Sequence, residues 1–466
     1  MENSKVLHIV MFPWLAMGHF IPFFRLSKLL AQRGHRISFV STPRNLSKLP
    51  KIPSNLSSKI TLVSFPLPEV PNLPSLAESS MDITHNQQQP LKHAFDLLQP
   101  LLTSFLESSK PDWIIYDYAS HWLPSVAAQL GVSRAFFAVF TAACLSFLGP
   151  PSALINGGDG ARSTADDFTK VPKWVPFESN LAYRLHEITK YVERTDEDTF
   201  GPPDTVRFGV TIQESDVVVI RSSDEFEPDW FNLLRQLFEK PVTPVGFLPP
   251  ILEEDEIQKD EKWVVVKEWL DKQRVNSVVY VALGTEVHLS KEELSDLAMG
   301  LEKSGLPFFW VLKKSPGSSQ SELDMLPDGL EERVKGRGFV HLGWVPQVKI
   351  LSHESIGGFL THCGWNSVIE ALGLGRVLIM FPVLNDQGLN ARLLHERKVG
   401  VEIPRNEIDG SFTSDEVAES VRLAVVEESG QSLRETVQAI KSYFGDKGRN
   451  DGYVDKFVRQ LEENRK

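Results

Sequence analysis

The chain has 466 residues, of which 42% are apolar and 24% charged, and its formal net charge is −12. This length predicts two domains of roughly 200 residues each, and the acidic balance argues against nucleic acid or an anionic membrane as a partner. Two cysteines, Cys144 and Cys363, exclude a disulfide scaffold and are typical of a reducing, cytoplasmic compartment. The apolar stretch at 6–24 is interrupted by histidine, glycine and proline residues, so we expect no signal segment. Because no clean apolar run of about 18 residues occurs, we expect no membrane insertion.

The first half of the chain alternates between short apolar runs and helical patterns. Strands are predicted at residues 6–12, 36–40, 113–116, 134–139 and 216–220, and helices at 20–33 and 124–130. Short buried strands between amphipathic helices indicate a parallel sheet that is covered on both faces. Residues 65–89 and 149–180 lack such patterns, so we predict irregular loops there, which are common positions for specificity residues.

Residues 241–262 have the composition of a solvated linker, because they are rich in proline and then strongly acidic. Beyond them the alternation resumes, with strands predicted at 277–283, 308–312, 338–341, 357–360 and 377–381 and a helix at 290–304. We therefore predict an α/β protein with two Rossmann-like domains facing each other across a cleft. The predicted boundaries are 1–242 for the first domain, 243–262 for the linker and 263–466 for the second.

The turn at residues 361–364 has the features of an anion site. It follows a predicted strand, and a helix is predicted to begin near Asn366. A diphosphate placed there would meet free backbone N–H groups and the positive end of the helix dipole, with side-chain donors from His362, Asn366 and Ser367. Ser367 and Glu370 also match a capping box, which would merely stabilise the helix start. Taken alone, the turn leaves both interpretations open.

The flanking residues favour a nucleotide sugar. Trp344, beside Pro346, is suited to stacking on a flat base, although an isolated tryptophan is more often part of a core. Asp386 and Gln387 precede a predicted helix at 389–394, where they either bind sugar hydroxyls or cap that helix. These residues follow consecutive strands of one sheet, and ligands of open α/β sheets bind at the carboxyl ends of the strands.

Residues 344–387 resemble the 44-residue signature box of plant secondary-product glycosyltransferases, which use UDP-sugars, and the resemblance extends over nearly the whole chain. It implies the GT-B fold, with the acceptor bound by the first domain, UDP-glucose held mainly by the second, and the last helix packing back on the first. Gln387 accompanies a preference for UDP-glucose in this family. Val345, where alanine is usual, and Arg-Val at 376–377 resemble a branch that includes sugar transferases acting on existing glycosides.

The same resemblance assigns each part of the donor to a set of residues. Trp344 and Val345 would lie against uracil, Gln347 would contact the nucleoside, and Glu370 the ribose hydroxyls. The diphosphate set comprises His362, Gly364, Asn366, Ser367 and the pair Gly284-Thr285, which is normally Gly-Ser. The sugar set comprises Trp365, Asp386, Gln387 and, more remotely in the chain, Thr141.

His19 and Asp117 are the candidate acid–base pair. A histidine that is neutral near pH 7 can take a proton from an attacking hydroxyl, and a carboxylate behind it would fix the tautomer. By spacing alone His19 could equally cap the helix that follows it. The resemblance identifies both residues with the catalytic dyad of the family, whereas the rivals Asp112 and His121 match no motif.

Aromatic residues crowd the expected acceptor side. Most of them are core residues by their type, and a few would line an apolar slot. The candidate acceptor contacts are Trp14, Phe20, His121 and Phe140. The acidic triplet at 196–198 has the spacing of a metal site, but it follows no apolar strand and is typical of a solvated face. We therefore expect no metal and no other cofactor.

These inferences predict an inverting UDP-glucosyltransferase that acts as a monomer on a small lipophilic hydroxyl acceptor. His19 would deprotonate the acceptor and Asp117 would support His19. Two alternatives stay open: an acceptor that already carries a sugar, and a UDP-sugar-binding protein without catalysis.

Overall fold

The computed structural model describes residues 6–157, 162–192, 201–250, 261–284, 286–313 and 325–465. Two parallel sheets form its core. The first sheet contains β1 (His8–Phe12), β2 (Arg36–Ser41), β3 (Ile60–Ser64), β4 (Trp113–Tyr116), β5 (Ser133–Ala138), β6 (Val217–Ile220) and β7 (Val242–Pro244). The second contains β8 (Val278–Ala282), β9 (Phe308–Leu312), β10 (Gly338–Leu342), β11 (Ile356–Thr361), β12 (Val377–Met380) and β13 (Gly400–Glu402).

Helices connect the strands and cover both sheets. In the first half these are α1 (Met17–Gln32), α2 (Pro43–Ser47), α3 (Gln88–Asp96), α4 (Gln99–Ser109), α5 (Leu123–Gln129), α6 (Ala142–Leu148), α7 (Pro151–Asn156), α8 (Ala165–Phe168), α9 (Leu185–Val192), α10 (Asp204–Glu214) and α11 (Pro228–Phe238). In the second half they are α12 (Glu261–Leu270), α13 (Lys291–Ser304), α14 (Leu330–Arg333), α15 (Gln347–Ser352), α16 (Trp365–Gly373), α17 (Gln387–Glu396), α18 (Ser414–Val425), α19 (Gln431–Gly445) and α20 (Lys447–Glu463).

Strand order determines where a ligand can bind. The first sheet runs β3-β2-β1-β4-β5-β6-β7 and the second β10-β9-β8-β11-β12-β13, with every pairing parallel. In each sheet the order reverses between two central strands, β1 and β4 or β8 and β11, which opens a crevice at their carboxyl ends. The predicted α/β class with two Rossmann-like units is confirmed.

The amino-acid composition of the strands explains why they form. Runs such as Trp113–Tyr116 and Val217–Ile220 are buried along their whole length, as expected of strands covered on both faces. The unpredicted β3, β7 and β13 lie at the sheet edges, and β3 is buried only at Ile60, its first residue. Because β7 pairs with β6, the first sheet extends to Pro244, into the segment predicted as linker.

The predicted loops contain short helices. Helices α7 and α8 lie within 149–180, and two 3₁₀ turns, Ser80–Asp82 and His85–Gln87, lead into α3 at the end of 65–89. These elements are too short to show a periodic apolar pattern. Within the described ranges, no helix combines the length and the apolar character needed to cross a bilayer.

Helix α20 crosses from the second half to the first sheet. Its residues Val454, Phe457 and Leu461 are buried in the same cluster as the residues of β1 and β4. The indole nitrogen of Trp113 donates to the carbonyl oxygen of Leu461 at 3.0 Å. The last helix is thus part of the covering of the first sheet.

A buried ion-pair cluster joins the two halves. The guanidinium of Arg392 in α17 lies 2.6 Å from Glu187 in α9 and also contacts Glu402 in β13, and all three side chains are less than a tenth exposed. We expect Arg392→Met to lower the free energy of unfolding by about 3–5 kcal/mol, because two buried carboxylates lose their cation. Urea denaturation measures this loss.

The deficit should shrink as the pH falls, because burial raises the pKa of Glu187 and its protonation removes one of the uncompensated negative charges. Arg184, which contacts Glu402 from a more exposed position at 3.1 Å, is the matched control. Its replacement by methionine should cost less than about 1 kcal/mol. Equal decreases in the free energy of unfolding for the two variants would contradict the conclusion that burial makes the Arg392 ion pairs important.

Candidate active site

A cavity of about 2830 Å³ lies between the carboxyl edges of the two sheets. Ligand pockets commonly measure about 300–1,000 Å³, so there is room for more than one bound molecule. Residues of both halves line the cavity, among them His19 of α1 and His362, which follows β11. The loops after β1 and β11 therefore meet in this space.

His19 is held by Asp117 at the crevice of the first sheet. Its Nδ1 atom lies 2.8 Å from Oδ2 of Asp117, whose carboxylate also accepts from the backbone N–H groups of Trp14 (3.2 Å) and Tyr118 (2.8 Å). Because an ionised carboxylate can only accept, Nδ1 carries the hydrogen and Nε2 keeps a lone pair. The N-cap of α1 is Ala16, so His19 does not cap that helix.

The charge environment of His19 is dominated by carboxylates. Burial alone would lower the pKa of this imidazole, but the negative charge of Asp117, with smaller contributions from Asp386 and Glu286, raises it above the ordinary value of 6.5. The ring also packs edge-on against Phe140, with centroids 5.3 Å apart. His19 is thus a strengthened base with one nitrogen available at the cavity.

His362 fits between two glycines. A Cβ atom at Gly284 or at Gly364 would lie 2.5 Å from its Nε2 atom, so neither position tolerates a side chain without displacing the ring. Gly284 also has a φ of +79°, which favours glycine. Burial, and then the nearby charge of Lys313, lowers the pKa of His362 to about 4, which keeps the imidazole neutral. Thr285 lies outside the described residues.

The start of α16 is not capped by a side chain. Gly364 is its N-cap and makes no side-chain cap hydrogen bond, so the capping box inferred for Ser367 and Glu370 is not formed. Instead, Nε2 of Gln347 donates to the Ser367 hydroxyl (3.1 Å) and to Glu370 Oε2 (3.0 Å). Arg25 of α1 donates to the other carboxylate oxygen of Glu370, also at 3.0 Å.

A second arginine of the first half also reaches α16. The fully buried Arg221, which follows β6, donates to Asn366 Oδ1 and to the carbonyl oxygen of Phe247. The Nδ2 atom of Asn366 in turn donates to the carbonyl oxygen of Gly18 at 3.0 Å. This chain of contacts connects the predicted diphosphate site to the residue before His19.

Trp365 is buried beside these contacts. Its indole nitrogen donates to the carbonyl oxygen of Arg221 at 2.8 Å, and its ring packs against Phe226, Phe247 and Phe444. Only an edge of the residue borders the cavity, because the side chain is 4% exposed. The predicted sugar contact of Trp365 is therefore limited to that edge.

The predicted sugar contacts Asp386 and Gln387 lie together at the start of α17. Asp386 accepts from Asn390 Nδ2 at 2.7 Å, and its burial raises the pKa of the carboxyl. Gln387 Oε1 accepts from the backbone N–H groups of Val383 and Leu384, which turns its Nε2 atom away from that loop. Neither side chain caps α17 in the manner considered from the sequence.

Thr141 is fully buried and caps α6. Its hydroxyl accepts from the Cys144 N–H at 3.1 Å and lies 3.5 Å from Asn390 Oδ1. It is linked to Asp386 through Asn390 and is not among the cavity-lining residues.

The predicted base contacts lie along the wall of the cavity. Trp344 is 70% exposed on its wall, so this indole is not a core residue, whereas Val345 beside it is buried. Gln347 begins α15, two residues after Val345 in the chain. An exposed indole is otherwise unusual, and stacking on a flat ligand would cover it.

The four candidate acceptor contacts divide into two pairs. Trp14 and Phe140 border the cavity. Phe20 does not, because it points into the core and packs on Phe39 at 5.1 Å. His121 is also absent from the wall, since its Nδ1 atom pairs with buried Arg207 at 3.0 Å. Phe147, another of the aromatic residues expected on the acceptor side, also borders the cavity. Further aromatic residues on its wall were not singled out from the sequence: Tyr118, Phe168, Tyr183 and Phe208.

Several polar residues of the site were not predicted. Arg221 and Lys313 directly follow strands β6 and β9, so the rule that ligands bind at the carboxyl ends of strands would have found them. Asn390 lies one helical turn after Asp386. Arg25 lies within α1 and has no comparable signal in the sequence.

Comparison with known proteins identifies the family. The profile described as "UDP-glucoronosyl and UDP-glucosyl transferase" matches residues 233–444. UDP-glycosyltransferase 91C1 of Arabidopsis thaliana is 61% identical over 98% of this chain and 97% of its own length. Soyasaponin III rhamnosyltransferase of Glycine max is 39% identical over 100% of this chain and 97% of its own length.

A solved structure shares the fold. The complex of Glycyrrhiza uralensis UGT73P12 with glycyrrhetinic acid 3-O-monoglucuronide has a TM-score of 0.80 at 22% identity, covering 98% of this chain and 96% of that one. This likeness confirms the predicted GT-B fold. Together with the identities of the relatives, it shows that the chain is a glycosyltransferase enzyme belonging to the plant family 1 UDP-glycosyltransferases.

Proposed function

We propose that the enzyme transfers glucose from UDP-glucose to a hydroxyl group of a small lipophilic metabolite or xenobiotic, with inversion at the anomeric carbon. The observation that carries this proposal is the His19–Asp117 pair, joined at 2.8 Å, with the His19 ring at the cavity that α16 also borders. The two free, buried cysteines support a cytoplasmic location.

In this proposal the donor lies along the second half. Trp344 stacks on uracil, Glu370 accepts from the ribose hydroxyls, and the start of α16 receives the diphosphate. The oriented amide of Gln387, with Asp386, binds hydroxyls of the sugar. Gln387 supports glucose as that sugar. Two relatives, however, carry the name rhamnosyltransferase, so the sugar itself needs a direct test.

The proposed reaction is a single displacement. Nε2 of His19 accepts the proton of the acceptor hydroxyl as its oxygen bonds to the anomeric carbon, and the bond from that carbon to the UDP oxygen breaks on the opposite face. Asp117 stabilises the imidazolium that forms. The N–H groups and dipole at the start of α16 stabilise the departing diphosphate. We propose no metal; the acidic triplet at 196–198 lies outside the described residues.

The aromatic wall formed by Trp14, Tyr118, Phe140, Phe147 and Phe208 supports a flat or polycyclic acceptor. A glycoside acceptor is the second candidate, and two observations favour it. The cavity volume leaves space for an additional sugar. A relative that is 32% identical over 99% of this chain is named anthocyanidin-3-O-glucoside rhamnosyltransferase, from Petunia hybrida.

A panel of matched aglycones and their monoglucosides, each incubated with UDP-glucose or UDP-rhamnose, tests these proposals by mass shift. We expect a gain of one hexose with UDP-glucose. A preference for monoglucosides would identify a sugar-on-sugar transferase, and a gain of deoxyhexose alone would overturn the proposed donor. Binding of the UDP-sugar without release of UDP in the presence of any acceptor, and with no glycoside formed, would support the non-catalytic alternative.

A further inference from the structure

Lys313 borders the same cavity as the residues predicted to hold the diphosphate. It directly follows β9, whose neighbour β8 ends just before Gly284, and it borders the cavity together with His362. The charge of Lys313 is close enough to contribute to the lowered pKa of His362. The carboxyl ends of β8, β9 and β11 therefore bring an ammonium group to the start of α16.

This ammonium group lacks a partner among the residues that the structure describes. None of their carboxylates lies within ion-pair distance of its Nζ atom, and Glu286 acts on it only as a more distant charge. Burial lowers the pKa of Lys313 to about 8, and Glu286 offsets this only in part. A half-buried cation without a counter-ion is unfavourable unless a ligand provides the negative charge.

Within the described part of the chain, no other group at the start of α16 supplies a full positive charge to the cavity. His362 is neutral at physiological pH, and a helix N-terminus is equivalent to roughly half an elementary charge. Arg221 is fully buried and bound to Asn366, and Arg25 is bound to Glu370. A diphosphate placed at α16 would thus find its cationic partner in Lys313.

We propose that Lys313 is a further donor-binding residue, whose ammonium group forms an ion pair with the diphosphate of UDP and stabilises it as it leaves. The proposal rests on the proposed binding of a UDP-sugar at α16. Lysine binds phosphate as a point charge, and charge-assisted hydrogen bonds of this kind are stronger than neutral ones. The positive charge that offsets the leaving group then comes from this side chain in addition to the helix.

Isothermal calorimetry of the full-length enzyme with UDP and with uridine tests the pairing. We expect Lys313→Met to weaken UDP binding by about tenfold, and uridine binding by less than about twofold, because only UDP carries the diphosphate. Lys313→Arg should retain most of the affinity. A Lys313→Gln variant and melting curves separate a loss of binding from a loss of folding.

Lys92→Met is the matched control. Lys92 also borders the cavity, but it is paired with Asp204 at 2.6 Å in the first half, away from α16. Its replacement should leave UDP affinity within about twofold. An equal loss in both lysine variants would overturn a specific role for Lys313.

Proton uptake gives a second readout. UDP should raise the pKa of Lys313, so binding at about pH 8.5 should take up protons, measured by calorimetry in buffers of different ionisation enthalpy. This measurement uses the His19→Ala variant as its background, because the pKa of His19 is also raised and its titration would add to the proton uptake. Glu286 and His362 are the other titratable groups that face Lys313. Lys313→Met should abolish the uptake.

The outcomes distinguish the two proposals. If the wild-type enzyme binds UDP and Lys313→Met binds it equally well with the same proton uptake, the role of Lys313 is overturned and the proposed donor stands. If the wild-type enzyme does not bind UDP, the proposed donor and the role of Lys313 fall together.

Discussion

Replacing His19 with alanine is expected to lower the rate of sugar transfer by about 10²–10⁴-fold while UDP affinity stays within about twofold. The variant removes the nitrogen that accepts the hydroxyl proton, and general-base catalysis typically contributes that range. The donor contacts on α16 belong to the second half of the chain and keep their geometry. Steady-state rates on an aliphatic alcohol acceptor, together with UDP calorimetry, measure the two quantities.

His121→Ala is the matched control for this variant. His121 belongs to the same half, but its ring pairs with Arg207 and does not border the cavity. Its replacement should leave the rate nearly unchanged. Full turnover by His19→Ala on an acceptor whose hydroxyl is not unusually acidic would refute the general-base role. An acidic phenol is unsuitable, because it ionises without help.

Asp117→Asn is expected to lower the rate by a similar factor, about 10²–10⁴-fold, although it barely changes the volume of the side chain. The carboxylate accepts from Nδ1 of His19, whereas an amide can donate to it and so place the hydrogen on Nε2. A ring with Nε2 protonated has no lone pair for the acceptor. The measurement is the rate of transfer as a function of pH.

The pH dependence has a defined sign. Despite its burial, the carboxylate of Asp117 raises the pKa of His19 above 6.5, so in the wild-type enzyme the base is protonated, and the rate is lost, as the pH falls through that raised value. In Asp117→Asn the acid limb should move to lower pH. An unchanged acid limb would show that another group controls it.

The His19–Asp117 pair also contributes to the stability of the fold, and this contribution has the opposite pH dependence. Protonated His19 interacts with Asp117 in the folded state, so this stabilisation is fully present below the unfolded pKa near 6.5 and is lost as the pH rises through the folded value. The difference in melting temperature between wild type and Asp117→Asn should therefore be larger at pH 5.5 than at pH 8.5.

Both halves of the chain contribute to the proposed donor site and to the position of the base. Arg25 and Arg221 belong to the first half, yet they contact Glu370 and Asn366 of α16 in the second. Asn366 in turn contacts the carbonyl of Gly18, next to His19. The position of the donor helix relative to the base is thus set by contacts across the cleft.

The sequence by itself determined the class of fold and most of the elements. Strands such as Trp113–Tyr116 and Phe308–Leu312 have the predicted bounds, because short apolar runs between amphipathic helices specify buried parallel strands locally. It also placed His19, Asp117 and His362 at the carboxyl ends of strands, where parallel sheets bind ligands. The family was recognisable from the residues at 344–387.

Only the tertiary structure decided which side chains share the cavity. It turned Phe20 into the core, paired His121 with Arg207 and buried Thr141 as the N-cap of α6, although all three are close in the chain to residues of the site. It also brought Arg25 to Glu370, 345 positions apart in the chain. Periodicity determines the local face of an element, whereas these contacts depend on how the two sheets and their helices pack across the cleft.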